Sequence, residues 1–462
     1  MMPMSQSRYL HMVRRISLFA VISYAVDYSF QLVDMFWVAQ LGAAAPTAIM
    51  LVSVIAFAVF ALNEIVGVST VPLVSQAVGR GDDAQTGTLI VNFLGVKAAM
   101  GLVMVALFGV GVAMTVTLQD LQGELRQMTL DYAVVLWPSL ILLPVYTTVM
   151  TVLRTIGSEI TAAIISVGIL LVNAIVTPML IFGYAGVAGL TIPALGIAGA
   201  AWATVLSQLV ALLVSFAVLL RKRPEYRLFD VSGLRWWPDL YRKVMVIGLP
   251  IGVMMGVYSL ENLLLAQLLL DYPVAVSDGF GIGTRIFGFM FVVNVGITVG
   301  VGIGTGRVIG MSAAPQEMVT LIRHSTHRLS LGLFVLGLII WASAYVWLAP
   351  VLSAFTTHAT TANTAYSYIQ FMLMANCLFM ATYALNGVFE GAGITWPILV
   401  AGAVSYVAIE FPLLYLLHQY MPGNLPVLWG AICFAAAVGL GLTLLLFRRQ
   451  VWATELFASG DW

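Results

Sequence analysis

The sequence predicts an all-α polytopic membrane protein, with twelve transmembrane helices in two pseudo-symmetric six-helix lobes. Three observations predict it. The 462 residues are 61% hydrophobic and only 9% charged, with a mean hydropathy of +1.01. A soluble domain carries about 25% charged residues, so the apolar excess has to face lipid. Apolar runs of the roughly 20 residues needed to cross hydrocarbon recur along the whole chain. Finally, the basic residues cluster in alternate connections between those runs.

The runs fall near 16–40, 48–72, 90–117, 130–152, 160–184 and 193–220, then near 244–270, 279–304, 329–354, 364–388, 395–417 and 425–447. The first follows Arg14 and Arg15 and has the outline of a signal-peptide apolar segment. Its length, its two acids and the lack of a small-residue cleavage site argue for a retained first span. Arg8, Arg14 and Arg15 precede span 1, Arg80 follows span 2, Lys97 opens span 3 and Arg154 lies between spans 4 and 5. Seven bases, among them Arg221, Lys222, Arg235 and Lys243, separate spans 6 and 7. Arg307, Arg323 and Arg328 lie between spans 8 and 9, and Arg448 and Arg449 follow span 12. With twelve spans these connections share one side, and of the bases only Arg126 and Arg285 fall elsewhere. The positive-inside rule then puts both termini in the cytoplasm. A miscounted span would scramble the pattern.

The chain also repeats. "VSQAVG" at 74–79 and "TGRVIG" at 305–310 stand 231 residues apart, each ending the second span of its half. "LRTIGSEIT" at 153–161 and "FEGAGITWP" at 389–397 both follow a fourth span. Few residues are identical, but the shared position within each half strengthens the match. An even number of spans per half gives both halves the same orientation, as in parallel-repeat transporters. The expected organisation is an N-terminal lobe at 1–220, a cytoplasmic linker at 221–243 and a C-terminal lobe at 244–462, with a cleft between the lobes that suits alternating access.

Ionisable groups inside spans cost about 2.5–3.5 kcal/mol each at a helix centre on insertion scales, so their presence calls for a function. The sequence places Asp27 and Asp34 in span 1, Glu64 in span 2, Glu261 in span 7, Arg285 in span 8 and Glu410 in span 11. Acids outnumber bases five to one, which favours cations or protons over anions as cargo. Asp34 sits in "QLVDMFWVAQLG", 31–42, with no base nearby in sequence. Asp27 lies seven residues earlier, on the same helix face. A carboxylate far from water and near a second one holds a proton more readily, which suits loading and release. The plainer reading makes Asp34 structural glue between helices. Glu64, beside Asn63, reads as a helix cap or bridge as readily as a cleft residue. Glu261 and Arg285 read equally as an ion pair or as substrate contacts. Glu410 precedes Pro412, whose missing N–H frees a carbonyl. Cys377 and Cys433 lie in apolar runs and read as core packing. "GVGIGTG" at 300–306 ends an apolar helix, where glycine permits close helix approach. No nucleotide loop, HExxH or Cys/His metal spacing is present, all five histidines lie in loops or at helix ends, and catalysis has no support.

From "QLVDMFWVAQLG" through "VPLVSQAVGRGDDAQ" at 71–85, the chain resembles the multidrug and toxic-compound extrusion (MATE) family. "VLRTIGSEITAAIISVGILLVNAIVTPMLIFG" at 152–183, "LGIAGAAWATVLSQ" at 195–208, "GFGIGTRIFGF" at 279–289 and "ALNGVFEGAGITWP" at 384–397 are similar in kind. The resemblance implies two six-helix lobes around a V-shaped central cleft. It implies export of cationic, amphipathic drugs and dyes in exchange for protons or sodium ions. It carries the ion-coupling role to Asp34, with Asn173 and Thr204 as partners. Thr177 stands where family members carry a second acid four residues after the asparagine. One carboxylate fewer weakens a sodium cage, because hard cations need several oxygen ligands and charge. Protons are therefore expected over sodium; were sodium the ion, Asp34 and Asn173 would hold it. Asp27 is an additional acid that compensates, and Glu261 resembles a span-7 glutamate of some members. A monomer in the cell's inner (plasma) membrane is expected, with no cofactor and no nucleic-acid partner. The alternative is a flippase for lipid-linked or polysaccharide precursors. Pyrophosphate groups would favour several embedded bases, and the sequence places only Arg285 inside a span.

Overall fold

The computed structural model describes residues 4–42, 44–185, 191–228, 237–312 and 314–458. Helix α1 covers Gln6–Val38 and turns through a 3-10 segment at Ala39–Leu41 into α2, Ala44–Arg80. Next comes α3, Asp83–Leu118. Asp82 caps it, its carboxylate accepting the Gln85 N–H at 2.8 Å, as N-cap residues do for an otherwise unpaired first-turn donor. The expected fourth span is two helices, α4 at Gly123–Leu136 and α5 at Ser139–Thr155, bent by 44°. Pro138 stands at the break and disfavours helical geometry in the residue before it. α6 is Glu159–Phe182. A two-residue hairpin pairs Tyr184 with Ile192 before α7, Ile197–Lys222.

A 3-10 turn at Pro224–Tyr226 follows. The rest of the expected linker, including Arg235, lies at 229–236, outside the described residues. The chain continues as α8, Pro238–Leu269, α9, Val274–Met311, α10, Pro315–Ser353, and α11, Ala359–Ala392. The expected eleventh span has three parts: α12 at Trp396–Gly402, a π-helical stretch at Ala403–Glu410, and α13 at Phe411–Tyr420. Pro412 accounts for the middle part. It cannot donate to the carbonyl four residues back and its ring crowds that turn, so the turn widens and the Phe411 N–H reaches the Tyr406 carbonyl five residues back. α14, Leu425–Arg448, and a short α15, Val451–Ala458, complete the chain. Among the described residues, eleven helices are long and apolar enough to cross a membrane, and twelve segments are when the bent α4–α5 pair counts as one.

The chain packs as two compact units, one of residues 22–245 and one of residues 1–21 with 246–462. In the first unit, Val74, Phe93, Met150 and Leu153 belong to one buried cluster on α2, α3 and α5. In the second, α9 and α11 are the most buried helices. Gly296, Gly300 and Gly304 recur every four residues and make a groove that takes Val21, Ser17 and Val13 of α1. A Cβ on Gly300 would stand 2.0 Å from the Ser17 Oγ and 2.6 Å from its backbone N. The Tyr9 hydroxyl reinforces the contact at 3.1 Å from Thr305 Oγ1. On another face, a Cβ on Gly391 of α11 would lie 2.3 Å from the Gly302 carbonyl oxygen. The glycine string thus permits close helix approach, and that approach places residues 1–21 in this unit. Cys377 and Cys433 are buried free thiols.

Candidate functional site

The residue-22–245 unit brings four of the sequence-identified residues together. Asn173 and Thr177 are four apart on α6, hence on one face, and Thr204 projects from α7. Thr177 Oγ1 donates to Asp34 Oδ1 at 3.3 Å, and Thr204 Oγ1 lies 3.2 Å from Asp34 Oδ2. The Thr204 hydroxyl also reaches the Ala200 carbonyl at 3.1 Å, so its single proton serves one acceptor at a time. Asn173 is fully buried and stands beside the same carboxylate, yet neither its Nδ2 nor its Oδ1 completes a hydrogen bond. The groups acting on Asp34 are hydroxyls and an amide, with no base among them.

The other acids of this unit have different company. Asp27 shares its surroundings with the Arg154 guanidinium, which stacks over the Tyr24 ring at 4.9 Å from its centroid. Glu64 accepts from Asn63 Nδ2 at 3.0 Å and acts on Lys97. Both bases are buried, Lys97 1% exposed and Arg154 3%, where the sequence placed Lys97 just inside span 3 and Arg154 in the connection between spans 4 and 5. This corrects the expected five-to-one excess of acids and the expectation that Arg285 alone is embedded. A base close to the end of an apolar run looks solvated in sequence. In the fold, α5 continues helically through Arg154 to Thr155 and α3 carries Lys97 within its length, and both side chains are turned inside.

In the other unit, the charged group facing Glu261 is a second acid, Glu410, in place of the Arg285 ion pair weighed from sequence. Glu410 is 1% exposed and has one oxygen without a hydrogen bond. Tyr258 and Tyr406 meet edge to face at 5.1 Å beside the pair and line a small cavity with Thr382, Tyr383, Asn386 and Ser405. Arg285 is an exposed residue of α9. Among the described residues, no group of three or more His, Cys, Asp or Glu side chains comes together as a metal cluster.

A family model, MatE, matches residues 20–179 and 250–416. The chain belongs to the MatE family. Its relatives include the probable multidrug resistance protein YoeA of Bacillus subtilis, 22% identical over 95% of this chain and 94% of that one. Another is the probable multidrug resistance protein NorM of Thermotoga maritima, 21% identical over 84% and 79% of the two chains. A crystal structure of a MATE in complex with MaL6 superposes with a TM-score of 0.83, at 20% identity and 97% coverage of both chains. That likeness shows the fold. Membership in a family of transporters excludes the enzyme reading and makes this a multi-pass MATE membrane protein.

Proposed function

We propose that this MATE protein is a secondary active multidrug efflux antiporter that exports cationic amphipathic compounds, with Asp34 as the coupling carboxylate. The observation that carries the reading is Asp34 itself, held by two hydroxyls and flanked by an unbonded, buried amide, with no base to neutralise it. Neutral donors steady an ionised carboxylate without cancelling its charge, so a mobile cation can still be attracted. A proton needs only one free oxygen. A sodium ion needs a shell of several oxygens, and here the Thr177 hydroxyl gives its proton to the carboxylate, while Thr204 shares its single proton between the carboxylate and the Ala200 carbonyl. Protons are therefore the coupling ion we favour.

Asp34 takes up a proton from outside, its charge no longer holds a cationic drug, and the drug leaves outward. The proton is released to the cytoplasm, and the freed carboxylate attracts the next cation. Coupling requires that drug and ion favour different states, since equal affinity for both shifts nothing. Glu261 and Glu410 form a second acidic pair within reach of the cargo. The names of the multidrug resistance relatives support efflux over a lipid-precursor flippase. The membrane is the cell's inner (plasma) membrane and the working unit a monomer. In proteoliposomes, an imposed pH gradient should drive dye transport, a sodium gradient alone should not, and Asp34→Asn should abolish coupling. Unchanged coupled transport in Asp34→Asn would remove Asp34 from the cycle.

A further inference from the structure

Lys97 brings its amino group into the interior from α3, with almost no contact with water. An isolated buried ammonium is costly unless oxygens replace its hydration shell. They do so here from one short stretch of α2. Lys97 Nζ donates to the main-chain oxygen of Asn63 at 2.6 Å and to the Asn63 side-chain Oδ1. The same amide turns its Nδ2 to Glu64 Oε1 at 3.0 Å. Asn63 thus bridges base and acid, with each end of the amide facing the charge it suits. Gly67, one turn on, faces both groups. A Cβ there would lie 3.4 Å from Lys97 Nζ and 3.7 and 3.8 Å from the two Glu64 carboxylate oxygens.

A main-chain carbonyl, an amide oxygen and a nearby carboxylate are the ligand types of a monovalent-cation site, and an ammonium is close to a potassium ion in size and charge. We infer that the Asn63–Glu64 stretch of α2 is a monovalent-cation site whose permanent occupant is the tethered ammonium of Lys97. Glu64 then carries no exchangeable ion, unlike Asp34. The cage holds charge in place and stitches α3 to α2. The inference rests on the proposed coupling role only in contrasting Glu64 with Asp34, and it is testable without any transport.

The test is thermal unfolding of the purified full-length protein in a choline buffer free of sodium, potassium and primary amines. Lys97→Ala empties the cage and should lower Tm, and methylammonium or potassium should restore it saturably. Wild type and Lys97→Ala/Glu64→Gln should show no such recovery. A Lys97→Ala protein that responds to these cations no more than wild type overturns the inference. Should Lys97→Ala not fold, Lys97→Met/Glu64→Gln decides. With both charges gone and the stem of the lysine replaced, it should be recovered folded at wild-type yield. Loss of that variant too would mean that the cage is not there to balance charge, and the inference falls.

Discussion

The acids of the residue-22–245 unit differ in what their removal should do, because stability and function separate where a charge has no partner. Removing one member of a buried ion pair strands the other, at about 3–5 kcal/mol. Asp34 strands nothing: its neighbours are hydroxyls, so an asparagine oxygen can accept from one while its NH2 donates to the other, as when Thr204 gives its own proton to the Ala200 carbonyl. Asp34→Asn should therefore unfold at or above the wild-type Tm in detergent, while its coupled transport is lost. Asn173→Ala belongs to the same class, since neither amide atom makes a hydrogen bond to lose. It should cost less than the 1–3 kcal/mol or so of stranding a buried polar group, and still impair transport. A large drop in Tm for either variant would mark it as structural glue. The Asp34, Asn173, Thr177 and Thr204 cluster was legible in the sequence, through an acid in an apolar run and a family-like spacing of polar residues. Lys97 and Arg154 were not. Position along a run does not say how far a long side chain reaches inward, and partners such as Asn63 and Tyr24 come from other helices.

Helix identity was legible because hydropathy decides it, whereas helix length was not. The apolar run of span 2 covers 48–72, yet α2 runs from Ala44 to Arg80. Backbone hydrogen bonding continues through polar residues that leave the hydrocarbon. The π-helical stretch before Pro412 lay between the two: the freed carbonyl was foreseeable, but the choice of a widened turn over a kink depends on packing. At this scale the decisive feature is the α9 groove. A Cβ at Gly300 meets the Ser17 backbone, which cannot rotate aside as a flexible side chain could. Overpacking of this kind costs about 1–3 kcal/mol. Gly300→Ala should lower Tm measurably. Gly332→Ala in α10, where a Cβ meets nothing within 4 Å, should hold or raise it, since alanine is favoured over glycine in a helix by up to about 1 kcal/mol. Equal effects of the two substitutions would show that the groove does not hold α1.

Across the whole molecule, the repeat and the charge pattern make one claim from two directions. The second span of each half ends at Arg80 and at Met311, preserving the offset of 231 residues read from the sequence, and a short connection follows each. If both halves enter the membrane in the same sense, those two turns lie on one side, with the basic residues, and the turn between α3 and α4 lies on the other. Basic residues near span ends are retained on the cytoplasmic side, so the proposed orientation assigns the α9–α10 turn to the cytoplasm and the α3–α4 turn to the outside. The two native thiols are buried, which leaves little background for labelling. Ala314→Cys and Gln122→Cys place single exposed thiols in the two turns. An impermeant maleimide added to intact cells should label Gln122→Cys and leave Ala314→Cys untouched until the membrane is opened. The reverse pattern would invert the topology. Labelling of both from outside would break the parallel relation of the halves, and with it the expectation that the proton bound at Asp34 moves inward while the drug moves out.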